Sequence, residues 1–303
     1  MSDLTTIDTN NYAAMAKAMG IAGEDSSASK KSSTLPRLKI QHKPIMGEGE
    51  MNGKSVKLEV IDGGNYLLDP LDGNVVYASS ATIRPFMQRY MYKRYVPNLS
   101  AKAGEKKGDY VKTVMADSLN IDLKDTNGGF NCGKPAGYVK DFQALPKHQQ
   151  DLLKSIKRVR AIFGLVTLND AKTADGKPVE LPESPFIWEI DNRDAFKIMG
   201  VPFTKLAQMK RLPVQHNIVI TTEGHKSNNG DTFYLPQASL DITNTISLTD
   251  ADQTMFSDFM SWVQNYNEWV INTWSEKSSK DISQSDKDTV DSFIDIDNQE
   301  EVA

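Results

Sequence analysis

The last 23 residues of this 303-residue chain, Asp281–Ala303, carry eight carboxylates against a single base, Lys287. A segment so charged, with so few apolar side chains, cannot bury enough surface to offset the entropy of ordering it. Residues 280–303 are therefore expected to form a disordered acidic tail, and any fold must be built from what precedes it. The tail accounts for −7 of charge in a chain whose formal net charge is −5, which leaves +2 for residues 1–280. That remainder is itself uneven. Residues 84–160 hold 16 Lys and Arg against 7 Asp and Glu, a local excess of +9. The acidic pI hides a basic centre, and the distribution matters more than the sum.

The bulk composition sets outer limits. A hydrophobic fraction of 39% over 303 residues is enough for one large core or two small ones. No apolar run approaches the roughly 20 residues that cross a bilayer, so no membrane association is expected. The first residues lack a basic stretch followed by an apolar one, which argues against secretion. Cys132 is the only cysteine, so an internal disulfide is impossible and a cytoplasmic location is expected, host cytoplasm if the protein is viral.

Residues 11–20 predict a short helix, capped by Asn11, ended by Gly20 and carrying Tyr12, Met15 and Met19 on one narrow face. The Ser- and Lys-rich stretch 24–34 reads as a linker, so residues 1–34 form an N-terminal helix and flexible linker suited to self-association. A β-rich core is expected over 35–248. Strands are predicted at 35–42, 55–61, 65–68 and 75–79, then at 82–95 with room for a helical piece. Gly63-Gly64 and Asp72-Gly73 mark antiparallel turns. A helix over 146–154 leads into a long strand, 155–168, whose return strand is 186–190 after a loop. A short capped helix at 191–199 and a hairpin of 214–222 with 232–238 follow. From Thr249, with Asp252 three residues on, a capped helix runs to about Trp274, within a C-terminal helical region at 249–279. The fold class is α+β, a mainly antiparallel β core of OB-fold-like type with a long C-terminal helix and disordered termini.

The densest chemistry lies in Arg84–Tyr95. Phe86, Tyr90, Tyr92 and Tyr95 are interleaved there with Arg84, Arg89, Lys93 and Arg94, and Lys102, Lys106, Lys107, Tyr110 and Lys112 follow. Cations that track phosphates, together with rings that stack on bases, are what single-stranded nucleic acid needs. The competing reading makes the rings core residues and the cations a solvated surface. A second cluster, Lys157, Arg158 and Arg160, lies in the long strand, where alternation puts Arg158 and Arg160 on one face and Lys157 on the other. The Gly-rich piece around Cys132 lacks Gly-Lys-Ser/Thr and reads as a loop, not as a phosphate cradle. The four histidines have no metal-ligand spacing, so neither a metal nor another cofactor is expected, and no catalytic constellation emerges. In the tail, Asp291, Phe293, Ile294, Asp295 and Asp297 combine charge with apolar side chains and are candidates for binding partner proteins.

This organisation resembles the T4-type phage single-stranded DNA-binding proteins. Residues 12–20 look like that family's N-terminal helix, residues 157–170 like the strand entering its long hairpin, residues 186–199 like the return strand and following helix, and residues 281–303 like its acidic arm. The resemblance implies a non-enzymatic protein that coats single-stranded DNA during replication, recombination and repair, with self-association through the N-terminal helix and recruitment of replication or recombination proteins by the tail. The family's core holds zinc through Cys and His; with Cys132 alone here, zinc is not carried over. The alternative is a virion structural or assembly protein that does not bind DNA.

Overall fold

A computed structural model describes residues 35–51, 54–70, 73–102, 107–135 and 139–278. The expected N-terminal helix and the acidic tail, including Asp291, Phe293, Ile294, Asp295 and Asp297, lie outside the described residues, as does Lys106.

In chain order the strands are β1 (Arg37–Ile40), β2 (Ile45–Met51), β3 (Lys54–Ile61), β4 (Tyr66–Asp69), β5 (Val76–Ala78), β6 (Ser80–Pro97), β7 (Gly108–Lys112), β8 (Ile156–Asn169), β9 (Lys172–Thr173), β10 (Ser184–Ile190), β11 (Ile218–Lys226) and β12 (Thr232–Leu240). The helices are α1 (Lys147–Ser155), α2 (Arg193–Ile198), α3 (Gly200–Gln208) and α4 (Asp250–Ser278). The predicted strands and helices are largely present. Residues 82–95 contain no helical piece, because the whole of Ser80–Pro97 is one strand of 18 residues. Residues 45–51, for which no strand was predicted, form β2, which pairs with β3 as a separate two-stranded hairpin. Also new are β7, β9 and α3.

Ten strands form one mixed sheet in the order β12-β11-β6-β8-β10-β1-β4-β5-β9, with β7 also paired to β6. Its ladders are antiparallel except for β1 on β10. The sheet curls back on itself. Tyr66 in β4 donates its hydroxyl to the carbonyl of Thr221 in β11 at 2.9 Å, and Thr222 donates to the Gly64 carbonyl at 2.7 Å. Four strands separate β4 from β11 along the ladder, so only a strongly coiled sheet brings them together.

The two faces of the sheet have different covers. One face encloses Leu38, Tyr66, Leu68, Ile83, Ile162, Val166, Phe186, Trp188 and Ile218, closed by Ala195 of α2, Phe203 of α3 and Met199 between the two helices. On the other face, Met87, Met91, Val159, Phe163 and Ile187 pack against Phe259 and Val263 of α4. Each large apolar side chain buried there contributes about 1.5–3 kcal/mol. The edge-to-face pairs Phe86–Phe259 and Phe163–Trp262 add about 0.5–1.5 kcal/mol each.

A β-bulge in β6 decides which residues reach which face. The register with β8 shifts between Pro85 and Met87, so Phe86 is the extra residue. Past it the alternation inverts, and Arg84 and Phe86 join Met87, Arg89, Met91, Lys93 and Tyr95 on the α4 side. Gln88, Tyr90, Tyr92 and Arg94 take the opposite side. Gly164 lies opposite Pro85, and a Cβ there would come within 2.3 Å of the Arg84 carbonyl oxygen. Only glycine permits the two backbones this approach.

Candidate nucleic-acid interface

The basic residues of β6 and β8 divide into three groups. The first is consumed by the fold. Arg84 makes a bidentate ion pair with Asp252, with both N–O distances 2.9 Å and side-chain exposures of 11% and 10%. Its Nε also donates to the Val214 carbonyl at 2.7 Å. Asp252 in turn caps α4 by accepting from the Thr249 N–H and hydroxyl. Arg84 therefore docks a helix instead of facing solvent, and its hydrogen bond holds the Asp252 carboxyl below the ordinary carboxylate range. Phe86 is buried against Phe259, and Tyr92 is buried with its hydroxyl donating to the Leu119 carbonyl. Those two rings are core, as the competing reading of this segment had it.

A second group faces α2. Arg160 is buried, with its guanidinium over the rings of Tyr90 at 5.1 Å and Phe196 at 4.6 Å. It donates to Gln88, to the Tyr90 hydroxyl and to the Phe196 carbonyl. A Cβ at Gly200 would lie 2.6 Å from its Nη2, so the glycine makes room for it. Arg158 is exposed over Phe196 at 5.5 Å, and Lys134 lies over Tyr92 at 5.6 Å. Burial pushes the Asp125 carboxyl above its ordinary value, against the pull of its backbone hydrogen bonds and of the Arg94 cation. That carboxylate organises the Gly-rich loop by accepting the N–H groups of Asn127, Gly129 and Cys132. Cys132 is buried, and desolvation pushes its thiol far up from its ordinary value. Among the described residues no group of His, Cys, Asp or Glu is arranged to hold a metal ion.

The third group remains on the α4 side, where the helix cover stops. Lys93 in β6 stands directly opposite Lys112 in β7 and Lys157 in β8, which makes a row of three lysines across three adjacent strands. One position further along β6, on the same face, Tyr95 pairs with Tyr110 of β7, their rings 5.2 Å apart and edge to face. Tyr95 is 43% exposed and Tyr110 53%. A cleft of about 540 Å³ opens beside them, lined by Arg37 and Lys39 of β1, Ile187 and Glu189 of β10, and Lys93, Tyr110 and Lys112. Arg37 pairs with Ile187, and strand alternation then places Lys39 on the same face. Four cations and one carboxylate thus line the cleft. Asp191, where β10 ends, binds Lys93 Nζ at 2.8 Å and Lys157 Nζ at 3.1 Å.

Of the residues expected from sequence, the structure brings Lys93, Tyr95 and Lys157 to this cleft and its rim. Arg89 is half-buried on the same face, against the Met260 sulfur at 3.3 Å, and Lys107 is exposed just before β7. Tyr110 and Lys112, which follow the basic segment in sequence, line the cleft too, whereas the sequence alone did not single out Arg37 or Lys39. Alternation in Arg37-Leu-Lys39 does put both cations on one face, but only the ladder order places β1 beside β10. Among the described residues no helix is long and apolar enough to cross a membrane. Compared with known protein families, curated proteins and solved structures, the chain matches none.

Proposed function

We propose that this chain is a single-stranded DNA-binding protein that holds its ligand in the cleft between β1 and β7. The observation that carries the reading is the lysine row Lys112–Lys93–Lys157. Like charges directly opposite on neighbouring strands destabilise a sheet. Asp191 offsets only part of that repulsion; a polyanion supplies the remaining counter-charge, and Arg37 and Lys39 across the cleft extend the cationic track. Cations alone would serve duplex and single strand equally. The exposed Tyr95–Tyr110 pair favours unstacked bases, which offer faces for stacking worth about 1–3 kcal/mol per base. In this reading the curled sheet is an OB-like platform, the protein coats single strands without strong sequence preference during phage replication or recombination, and the acidic tail recruits partner proteins. The chain itself carries out no catalysis.

A second reading, an assembly protein of a virion, is favoured by one feature. Phe256, Met260, Trp269 and Ile271 are exposed on α4. Titration of tyrosine fluorescence with oligo-dT and with a matched duplex, alongside light scattering, separates the two. Quenching by oligo-dT at low salt, weaker with duplex, supports DNA binding. Salt-stable assemblies that ignore both ligands support assembly.

A further inference from the structure

Asp191 stands where a phosphate would be expected. Its carboxylate lies between two members of the lysine row, within 2.8 Å of Lys93 Nζ and 3.1 Å of Lys157 Nζ, and those two cations come from different strands. The carboxylate is only 31% exposed, and Lys93 only 15%. Asp191 is not needed as a helix cap, because the Asn192 side chain accepts the Asp194 and Ala195 N–H groups at the start of α2. Lys112, at the other end of the row, has no carboxylate at comparable distance among the recorded ion pairs of the described residues.

Resting on the proposed function, we infer that Asp191 is a built-in counter-anion of the lysine row, which a bound strand must displace and which selects for closely spaced phosphates. An isolated anion meets Lys93 and Lys157 with one of their two charges already offset. A strand that simultaneously engages Lys112, Arg37 and Lys39 gains enough elsewhere to take over the two lysines. The carboxylate thus lowers affinity for every anion, but proportionally least for a ligand that spans the whole cleft. It also offsets the repulsion within the row while the cleft is empty.

The test is a titration of a fluorescent dT oligonucleotide against the full chain and the variants Asp191→Asn, Lys157→Gln, Asp191→Asn/Lys157→Gln and Asp151→Asn. Asp151 lies on α1, 57% exposed and paired with Lys147, so its variant carries the same change in net charge away from the cleft. Asp191→Asn is expected to tighten binding about tenfold and to steepen the salt dependence, by about 0.7 in log–log slope for each lysine released. Asp151→Asn should leave both within twofold. Lys157→Gln should weaken binding only slightly in the natural chain but clearly in the Asp191→Asn background, where Lys157 is released. Circular dichroism on each variant restricts the comparison to temperatures where all are folded. If the natural chain binds and Asp191→Asn is equal or weaker, Asp191 is a positioning residue and the inference is overturned. If the natural chain does not bind dT at all, the proposed function itself is what has failed.

Discussion

Replacing Arg84 by methionine separates the structural from the electrostatic use of the basic segment. In sequence Arg84 belongs with the phosphate-binding cations; in the fold it is committed to Asp252, to the Val214 carbonyl and to the ring of Phe86. Removing one partner of an ion pair this enclosed leaves the other carboxylate uncompensated, at a cost of about 3–5 kcal/mol. In a domain of this size that is a fall in melting temperature of about 6–20 °C. The double variant Arg84→Met/Asp252→Leu removes the orphan charge and should recover much of the loss, which gives a coupling energy from a double-mutant cycle. Thermal denaturation followed by circular dichroism measures the stability, and oligo-dT titration of the folded variant measures binding. The expected pattern is a large loss of stability with affinity within twofold of the natural chain. A variant that melts normally but binds DNA with a reduced salt slope would make Arg84 a phosphate contact and refute the reasoning.

Three further outcomes follow from the geometry. Gly164→Ala drives a methyl into the Arg84 carbonyl and the Pro85 backbone at the bulge, and urea denaturation should show a loss of about 1–3 kcal/mol; unchanged stability would mean that the bulge relaxes freely. Tyr110→Ala should weaken oligo-dT binding roughly 5- to 150-fold, as expected for one lost base stack, whereas Tyr110→Phe should not; equal affinities for all three proteins would remove stacking from the account. The Asp252 carboxyl is held below its ordinary value by its hydrogen bond to Arg84, and the Asp191 carboxyl, against the opposing effect of desolvation, by Lys93 and Lys157 together. Their stabilisation is complete above the unfolded carboxylate range and is lost as pH falls through the lowered folded values. Chemical denaturation of the natural chain between about pH 4 and pH 2 should therefore show a steeper loss than Asp252→Asn; parallel curves would contradict the assignment.

Much of the fold was legible because its signals are local. Alternation marked β1 and β10, turn residues marked the β11–β12 hairpin, and the Thr249–Asp252 box marked the start of α4. The site was legible only in part, and the bulge at Phe86 is the main reason. An extra residue inside a continuous pattern leaves no compositional trace, yet it moves Arg84 and Phe86 to the face that α4 covers. Reading Arg84–Tyr95 as one interleaved surface therefore merged side chains that the fold divides between a helix dock, a cation–aromatic cluster and a cleft. Arg37 and Lys39 were hidden for a different reason. They lie more than 50 residues before Lys93, and the ladder order that makes them neighbours is set by long-range pairing. Lys112 and Tyr110 were visible as residues, but their register against Lys93 and Tyr95 was not.

The salt dependence of oligo-dT binding tests the central claim most directly, measured on the natural chain and on Lys112→Gln, the row's lysine that Asp191 does not bind. The account predicts that log K falls linearly with log salt, and that the slope becomes shallower by about 0.7 for the lysine removed. No binding at low salt, or an identical slope in the variant, would contradict it.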